Sequence, residues 1–502
     1  MTIRKTIIAA LLTGMCWGAS AQLVTYPAGE GVKTLDDYTV AVRQPGGQWQ
    51  PVAVYPVKVA HTVNAKTVAE TASMAYFDFD GKVEVKVTPK TKINEARIRP
   101  LSYEITPDVS DGSLTFTLDR PSNLSVEVNG DIFHNLHLFA NPLDRNRPSD
   151  KEIKKAAKSD KSNNSYKTYR NYRGKKGADL LYFGPGVHRF DGDTLRVASN
   201  TTVYVDGGAR VYGMLIADGV ENVKFFGRGE IHPAGRGEGI YVKRSRNVEA
   251  DGVIVTQIPV GGSNSVRINN VKSISSYGWG DGMNVFASDS VSYNRVFCRN
   301  SDDCNTVYAT RKGFRGGCRN IRMENSTLWA DVAHPIMIGL HGAATEVGID
   351  APADTIADLT YRNIDILDQH EQQIDYQGCM AISCGDNNYV RDVTFDNIRV
   401  EDFRRGQLVN IRIFFNKKYC KAPGNNVSNI LFKDVTYNGS NAEMSIICGY
   451  NEDRTVSDIT FDNLRINGVH IADDMPEKPK WYKAGDFARF YIGEHTHNVV
   501  FK

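Results

Sequence analysis

DVTFDNIRV, residues 392–400, is one copy of a short motif that recurs through the second half of the chain. Each copy begins with a polar residue, alternates aliphatic or aromatic residues with other types, and contains Asp or Asn near its middle. The aliphatic residues that open successive copies are 18 to 38 residues apart, so the repeat is irregular, with a minimum near twenty. These opening residues are Val223, Val248, Val266, Val291, Ile321, Leu359, Val393, Ile430 and Ile459.

The spacing of apolar residues inside each copy predicts the fold of this region. The period is two, which indicates β-strands and excludes helical repeats. A recurring unit of short strands is typical of a solenoid. The Asn residues at the motif's centre predict bends, because Asn tolerates the left-handed conformation, and we expect stacked Asn residues to form ladders. We therefore predict that residues 178–502 form a right-handed parallel β-helix, with the longer steps forming loops that wall a cleft.

The first part of the mature chain shows a different β pattern. Residues 83–87, 114–118 and 124–128 alternate between apolar and other side chains, and Asp-Gly or Asn-Gly turn signals lie near them. Several short strands at this spacing predict a β-sandwich over residues 22–144. The fold class that we predict is therefore all-β, with a sandwich preceding the β-helix.

A strongly basic segment lies between these two regions. Residues 145–176 contain 12 Lys or Arg residues and 3 Asp or Glu residues. We interpret residues 145–177 as a basic linker that is extended and solvated, since charge runs are usually solvated. A role in holding an acidic polymer is the alternative.

The N-terminus has the three parts of an export signal. Arg4 and Lys5 precede an apolar stretch at residues 7–17, and Ala19-Ser20-Ala21 forms a cleavage site. We predict that residues 1–21 are a signal peptide and that the mature protein is exported, either periplasmic or secreted. No other stretch has the ~20 apolar residues of a membrane span. The net charge of +2 gives no reason to expect a nucleic-acid partner.

Cysteine usage permits disulfides without requiring a dense framework. Seven of the 8 cysteines lie beyond the predicted signal peptide, all in the second half of the chain, so at least one is unpaired. Export permits disulfide formation, and we predict the pair Cys304 and Cys318. A zinc site is disfavoured because the sequence contains neither C-x-x-C nor H-x-x-x-H spacing. We therefore expect no zinc ion.

Three carboxylates that lie close together in the sequence indicate a catalytic site. Asp302 follows Asp281 by 21 residues, about one step of the repeat, and Asp303 is its neighbour. Glycosidic bonds are cleaved by paired acids, of which one protonates the leaving oxygen and the other activates water or attacks directly. On a regular strand, Asp302 and Asp303 would point to opposite faces, so both reach one cleft only if the chain bends there. A structural turn role for Asp303 remains the alternative.

Several neighbouring residues are candidates for the same site. His334 lies about one turn later, where it could orient or tune an acid, or be a surface histidine. Trp279, Tyr308 and Trp329 could stack on sugar rings or fill the core. Asn284 closes the stretch that contains Trp279 and Asp281.

Three basic residues are further candidates for substrate binding. Arg311 and Lys312 follow the Asp pair closely, and they either bind an acidic sugar or solvate a loop. Arg412 lies farther along the chain, where it could reach the same flank of the cleft.

The motifs around the acids resemble two families of inverting β-helix glycoside hydrolases. Residues 300–304 (NSDDC) resemble the N-x-D-D-C block of polygalacturonases, and residues 280–282 (GDG) resemble their N-T-D-G block. Residues 332–339 (VAHPIMIG) are similar to their G-H-G-x-S-I-G block, and residues 411–413 (IRI) match their R-I-K block in part.

The dextranase/isopullulanase family is the second resemblance. Its members carry a D-D pair followed by Tyr and an N…W segment, as in Asp302-Asp303, Tyr308, Asn320 and Trp329 here. They also place a β-sandwich before the β-helix. The resemblance covers nearly all of the mature chain, although its specific motifs span residues 278–342.

The resemblance implies hydrolysis by single displacement, with Asp302 as general acid. Asp281 and Asp303 would then activate the water, and His334 would support protonation of the acid. It implies a polysaccharide or oligosaccharide substrate and no cofactor, and we expect the protein to be a monomer. Two alternatives remain, a polysaccharide lyase on the same fold and a carbohydrate-binding β-helix without catalytic activity.

Overall fold

The computed structural model describes residues 22–64, 66–159, 167–169, 179–233, 237–476 and 478–502. The predicted signal peptide, residues 1–21, lies outside the described residues. Within these ranges, no helix is both long enough and apolar enough to cross a membrane.

Eleven strands build the N-terminal region. They are β1 (Leu23–Thr25), β2 (Tyr38–Arg43), β3 (Gln50–Val52), β4 (Val54–Val63), β5 (Lys66–Phe79), β6 (Val83–Pro89), β7 (Ala96–Arg99), β8 (Asp108–Ser110), β9 (Ser113–Leu118), β10 (Ser122–Val128) and β11 (Leu136–Pro142). One sheet has the order β1-β5-β11-β10-β7, with β4 pairing to β5, and the other has the order β3-β2-β6-β9-β8. All pairs are antiparallel except β5 with β11.

The two sheets share one apolar core. Val40 of β2 and Val85 of β6 are buried together with Phe77, Leu124 and Leu138 of the other sheet. Alternate residues of β6 are buried, as a strand with one covered face requires. The predicted β-sandwich fold is confirmed.

The described residues of the second region form 32 further strands. They are β12 (Lys167–Tyr169), β13 (Asp179–Phe183), β14 (Gly186–Val197), β15 (Thr201–Val205), β16 (Ala209–Asp218), β17 (Glu221–Gly227), β18 (Glu230–His232), β19 (Ile240–Lys243), β20 (Arg246–Asp251), β21 (Ile254–Val255), β22 (Val260–Gly261), β23 (Asn264–Asn269), β24 (Lys272–Ile274), β25 (Val285–Phe286), β26 (Asp289–Asn294), β27 (Phe297–Asn300), β28 (Asn305–Tyr308), β29 (Cys318–Ala330), β30 (Ile336–Ile338), β31 (Thr355–Asp368), β32 (Met380–Cys384), β33 (Tyr389–Glu401), β34 (Gly406–Gln407), β35 (Val409–Ile413), β36 (Val427–Asn438), β37 (Ala442–Glu443), β38 (Ser445–Cys448), β39 (Val456–Asp462), β40 (Leu464–Ile466), β41 (Val469–Ile471), β42 (Phe490–Ile492) and β43 (Thr496–Phe501).

Short helices interrupt the strands. They are α1 (Asp150–Ser159), α2 (Ala343–Glu346) and α3 (Ala484–Ala488), with 3-10 turns at Leu101–Tyr103 and Ile374–Tyr376.

The register of the strands confirms the parallel β-helix. Each residue that opens a motif copy pairs with its counterpart on the next turn, from Val223 and Val248 onward to Ile459. Two residues further on, aromatic rings stack from turn to turn, with 4.7 Å between the ring centroids of Phe432 and Phe461. The apolar positions of the repeat therefore form continuous columns inside the solenoid.

The predicted Asn ladder is also present. Asn294, Asn325 and Asn363 lie on successive turns. The side-chain amide of Asn325 donates to Asn294 Oδ1 at 2.8 Å, and that of Asn363 donates to Asn325 Oδ1 at 2.7 Å. Asn325 has a φ of 54°, the left-handed conformation that Asn accepts more readily than most residues. The ladder thus gives the Asn side chains hydrogen-bond partners at each bend and stabilises the bent course of the backbone.

Replacing Asn325 with Ala is expected to lower the free energy of unfolding by about 1–2 kcal/mol, because two hydrogen bonds are lost and Ala disfavours positive φ. Thermal and denaturant unfolding followed by circular dichroism measure the change. Asn325→Gly accepts the same φ, so it separates the two contributions and should fall between wild type and Asn325→Ala. An Ala variant as stable as wild type would contradict this role for the ladder.

The basic segment differs from the extended linker that we predicted. Residues 150–159 form helix α1, because Ser149 and Glu152 form a reciprocal cap: Ser149 N–H donates to Glu152 Oε2 at 2.9 Å, and Glu152 N–H faces Ser149 Oγ at 3.4 Å. Strand β12 then pairs with β14. The predicted extended conformation is therefore wrong for residues 150–159, whereas our domain boundaries at 144 and 177 stay a proposal.

The predicted disulfide between Cys304 and Cys318 is wrong, because both thiols are free and buried. Cys318 Sγ donates to the Tyr308 carbonyl oxygen at 3.1 Å. Tyr308 lies four residues beyond Cys304 along the chain, which corresponds to about 13 Å of extended strand. The two thiols belong to the apolar interior and fill space there.

Candidate active site

Three successive turns bring the predicted catalytic residues together. Gly282 N–H donates to the Asp303 carbonyl at 2.8 Å, and Cys304 N–H donates to the His334 carbonyl at 2.8 Å. This parallel register, continued from β25, β28 and β30, places Asp281, Asp303 and His334 above one another. Asp303, rather than Asp302 as we expected, is thus the counterpart of Asp281 on the next turn.

A bend in the chain allows Asp302 and Asp303 to contribute to the same site. Both lie outside regular strand, between β27 and β28. Asp303 N–H donates to Asp302 Oδ1 at 3.0 Å, a local bond typical of Asp in turns. Asn300 ties the bend to the preceding turn, because its side-chain amide donates to the hydroxyls of Ser273 at 3.1 Å and Ser275 at 3.0 Å. The geometric difficulty foreseen from the sequence is therefore resolved by irregular backbone.

The glycine after Asp281 is required by a close approach of backbone. A Cβ atom at Gly282 would lie 2.4 Å from Asn300 Oδ1 and 2.4 Å from the Cys304 carbonyl oxygen. Real Cβ atoms do not approach so closely, so only glycine lets the two turns stack here. This explains why Asp281 is followed by glycine in a motif that carries the site.

Asp303 is held in place by hydrogen bonds from two neighbouring residues. Tyr308 Oη donates to its Oδ2 at 3.2 Å, and His334 N–H donates to its Oδ1 at 3.2 Å. His334 Nδ1 lies 2.6 Å from the same Oδ1, in a pair of fully buried or nearly buried side chains. Asp303 therefore accepts three hydrogen bonds, which stabilise a negative charge.

His334 is arranged to carry the complementary positive charge. Its Nε2 contacts the Tyr376 carbonyl oxygen, which can only accept, while Nδ1 faces Asp303. Burial lowers the pKa of His334, but the charge of Asp303 and its hydrogen bond outweigh burial and raise that pKa above its ordinary value. The arrangement favours an imidazolium, so His334 and Asp303 form a buried ion pair.

The other two carboxyls have raised pKa values. Burial, followed by the charge of Asp303, raises the pKa of Asp281 to about 6, although Asn284 donates to its Oδ2 at 2.5 Å. Burial raises the pKa of Asp302 well above its ordinary value, and the charges of Asp281 and Asp303 raise it further. Burial and like charge therefore favour the protonated form of Asp302 beside two further carboxyls, the arrangement that an acid–base pair requires.

The structure assigns different surroundings to the remaining candidates. Trp279 is 77% exposed, with a φ of 59°, on the loop before Asp281. Asn284 and Tyr308 are buried and bond the acids as described above. Lys312 lies with its Nζ 5.3 Å from the centroid of the Phe286 ring, and its charge lowers the pKa of Asp281.

The two candidate arginines have polar partners other than the three carboxyls among the described residues. Arg311 pairs with Glu346 at 3.2 Å. Arg412 donates from Nη1 to the Asp375 carbonyl at 2.7 Å, on a strand three turns beyond the one that follows Asp303.

Trp329 does not belong to the cleft, and its predicted role in substrate binding is wrong. Its side chain is fully buried, with the guanidinium carbon atoms of Arg299 and Arg99 4.0 and 5.0 Å from the ring centroid. Its ring also meets His137 of the β-sandwich. Trp329 pairs with Arg299 on β27 and faces the sandwich, so it fills the contact between the two regions.

Glu371 and Tyr376 are site residues that the sequence analysis missed. Glu371 is buried, and its charge adds to the causes that raise the pKa values of Asp302 and His334. The Tyr376 ring lies edge-on to His334, with 4.5 Å between ring centroids. Both lie in the insertion between β31 and β32, and the available signal was the cluster of polar residues at 369–373 in one of the longer steps.

Comparison with known proteins supports the fold. The sequence matches no protein-family model, and a search of curated proteins found no similar sequence. Dex49A from Penicillium minioluteum is similar in structure, with a TM-score of 0.56 and 14% sequence identity over 93% of this chain and 96% of that one.

Two polygalacturonases are more distant matches. The family 28 exopolygalacturonase of Yersinia enterocolitica has a TM-score of 0.43 and 12% identity, covering 88% of this chain and 99% of its own. The polygalacturonase of Erwinia carotovora ssp. carotovora has a TM-score of 0.43 and 13% identity, covering 61% of this chain and 96% of its own. The likeness to Dex49A shows that this chain shares its overall fold, and the resemblance predicted from the sequence is confirmed at that level.

Proposed function

We propose that this protein is an exported glycoside hydrolase that cleaves a polysaccharide by single displacement. The observation that carries the proposal is the cluster of Asp281, Asp302 and Asp303, in which burial and the neighbouring carboxylates raise the pKa values of Asp281 and Asp302 above their ordinary range. Glycoside hydrolysis requires one protonated and one ionised carboxyl across the scissile bond. Buried like charges oppose folding, so a purely structural role gives no reason to gather three carboxyls at this place.

Each acid has a distinct role in the proposed reaction. Asp302 donates its proton to the glycosidic oxygen as the bond to the anomeric carbon breaks. Asp281 accepts a proton from the attacking water, and Asp303 orients that water and stabilises positive charge on the sugar ring. His334 is a positioning residue, since its Nδ1 lies 2.6 Å from Asp303 Oδ1 and holds that carboxyl in place.

Single displacement is proposed from the resemblance of the acid motifs to those of inverting β-helix glycoside hydrolases. Adjacent turns are about 4.8 Å apart, and Asp302 is displaced by one residue from the column of Asp281 and Asp303. Inverting enzymes separate acid and base by about 6.5–9.5 Å to leave room for water, whereas retaining enzymes need about 5–5.5 Å. The spacing of the turns is compatible with either separation, so the configuration of the product is the deciding measurement.

The test is the release of reducing sugar from dextran, pullulan, polygalacturonate, rhamnogalacturonan and arabinan. Cleavage with inversion of the anomeric configuration, observed by proton NMR immediately after mixing, would support the proposal. Retention of configuration would contradict single displacement. Products that absorb ultraviolet light would instead indicate a lyase, and binding without cleavage would indicate a carbohydrate-binding protein.

The pH dependence of kcat/KM should be bell-shaped. The rate is expected to rise as pH passes about 6, where Asp281 ionises, and to fall at higher pH, where Asp302 loses its proton. These limbs belong to the coupled group as a whole. Initial rates across pH 4–10 on the best polymer of the panel, at about constant ionic strength, measure both limbs.

A substitution at Lys312 tests whether Asp281 controls the acidic limb of the pH profile. Its positive charge favours ionised Asp281. Lys312→Met should therefore raise the pKa of Asp281 and move the acidic limb upward by about half a pH unit, as expected for one partly screened charge. Lys312→Arg keeps the charge and is the matched control. An unmoved limb in Lys312→Met would show that another group controls it.

A further inference from the structure

An open depression of about 550 Å³ lies on the solenoid beyond the acids. Ile374, Asp375, Arg412, Ile446 and Tyr491 line it. None of these residues contacts the three catalytic carboxyls through a hydrogen bond or ion pair in the described part of the chain. The depression is therefore a separate feature of the same molecule.

The strand register places the depression on the same column of strands as the acids. From β28 the column continues through β30, β32, β35, β38 and β42. Arg412 lies on β35, three turns beyond the strand that follows Asp303, and Tyr491 lies on β42, five turns beyond it. At about 4.8 Å per turn, these positions are roughly 14 and 24 Å along the axis. A polymer that follows the column from the acids would reach the depression several sugar units away.

The lining combines apolar surface with polar groups that face solvent. Tyr491 is 52% exposed and Ile374 is 62% exposed, so both present apolar surface to solvent at the depression. Arg412 uses Nη1 to hold the Asp375 carbonyl, and its Nε and Nη2 groups have no hydrogen-bond partner among the described residues. Asp375 Oδ2 accepts one bond, from the Asn416 amide at 3.1 Å.

This combination fits a sugar ring. An aromatic side chain with an exposed face packs against the C–H face of a sugar, while unpaired donors and a carboxylate bind its hydroxyls. The charges of Arg412 and Asp375 cancel, so an acidic sugar would gain from one and be repelled by the other. We propose that the depression is a distal subsite that binds an uncharged sugar unit of the polymer. This inference rests on the proposed function, the cleavage of that polymer at the acids.

The test measures binding in a variant that does not consume the polymer. Asp302→Asn is compared with Asp302→Asn/Tyr491→Ala by affinity electrophoresis in gels that contain each polysaccharide of the panel. The expected result is roughly tenfold weaker binding of the double variant to an uncharged polymer, the loss of one stacked ring. Asp302→Asn/Tyr450→Ala is the matched control, because Tyr450 is 46% exposed and does not line the depression.

The outcomes separate the subsite from the proposed function. Equal binding by all three variants would overturn the subsite, even if wild type cleaves the polymer. Weaker binding of the Tyr491 variant without cleavage by wild type would support the subsite and overturn the hydrolase. Failure of Asp302→Asn to bind any uncharged polymer, including exclusive binding of polygalacturonate, would also overturn the subsite.

Discussion

Replacing Asp302 with Asn is expected to lower kcat on the polymer by about 10²–10⁴-fold, the usual contribution of a positioned general acid. Burial and the charges of its neighbours raise the pKa of Asp302 well above its ordinary value, which favours the uncharged side chain before the reaction. Asn reproduces its shape, its lack of charge and its ability to accept the Asp303 N–H. The substitution therefore removes the proton and leaves the electrostatics of the resting site unchanged.

Two further measurements make this result specific to proton donation. An aryl glycoside with an acidic leaving group needs little protonation, so the loss should be much smaller on that substrate. The thermal midpoint of unfolding should match wild type. Asp453→Asn, an exposed carboxyl far along the solenoid, is the matched control and should keep full activity. An Asp302 variant with wild-type activity on the polymer would remove Asp302 from the catalytic role.

The fold was predictable because a stack of turns requires a similar pattern of side chains in every turn. Residues at period two must face the interior of each turn, and the turns must align for their apolar columns to be continuous. The series from Val223 to Ile459, read from the sequence, is the same series that pairs from strand to strand. The Asn ladder was predictable for a similar reason, since Asn325 both accepts the left-handed bend and bonds its neighbours.

The site was predictable only in part, because sequence spacing identifies turns but not the direction of side chains. Asp281, Asp303 and His334 follow one another at steps close to one turn, and they meet. Trp329 lies as near to the acids in sequence, yet it occupies the face that contacts the sandwich. Glu371 lies in a long insertion whose path depends on tertiary contacts.

The predicted disulfide failed for a related reason. Cys304 and Cys318 are close in sequence, but β28 and the following loop separate them along the axis of the strand. In a solenoid, residues that contact one another across neighbouring turns are about one repeat apart in the sequence. Short sequence separation is therefore a poor guide to contact in this fold.

A buried ion pair links the catalytic turns to the β-sandwich. Arg299 lies three residues before Asp302, and Asp331 lies three residues before His334. Arg299 donates from Nε to Asp331 Oδ2 at 2.9 Å and from Nη2 to Oδ1 at 3.2 Å, and both side chains are fully buried. The pair therefore braces the two turns on which the proposed acid and its positioning histidine lie.

The sandwich completes this network. Arg299 Nη1 donates to Asn135 Oδ1 at 3.0 Å, and the Ala60 N–H of strand β4 donates to Asp331 Oδ2 at 3.2 Å. Arg404 also reaches Asp331 Oδ1, at 3.4 Å. The N-terminal region therefore supports the site through charges that would be costly to leave unpaired in the interior.

Arg299→Met is accordingly expected to lower the free energy of unfolding by about 3–5 kcal/mol, because it leaves the buried Asp331 without its bidentate partner. Arg299→Lys should recover only part of the loss, since an ammonium cannot bond both carboxylate oxygens in one plane. Arg362→Met is the control: Arg362 also pairs with a carboxylate, Asp396 at 3.0 Å, but its side chain is 54% exposed, so the expected loss is below about 1 kcal/mol. Denaturant unfolding followed by tryptophan fluorescence measures all three variants, and equal losses in Arg299→Met and Arg362→Met would show that the buried pair does not brace the two regions.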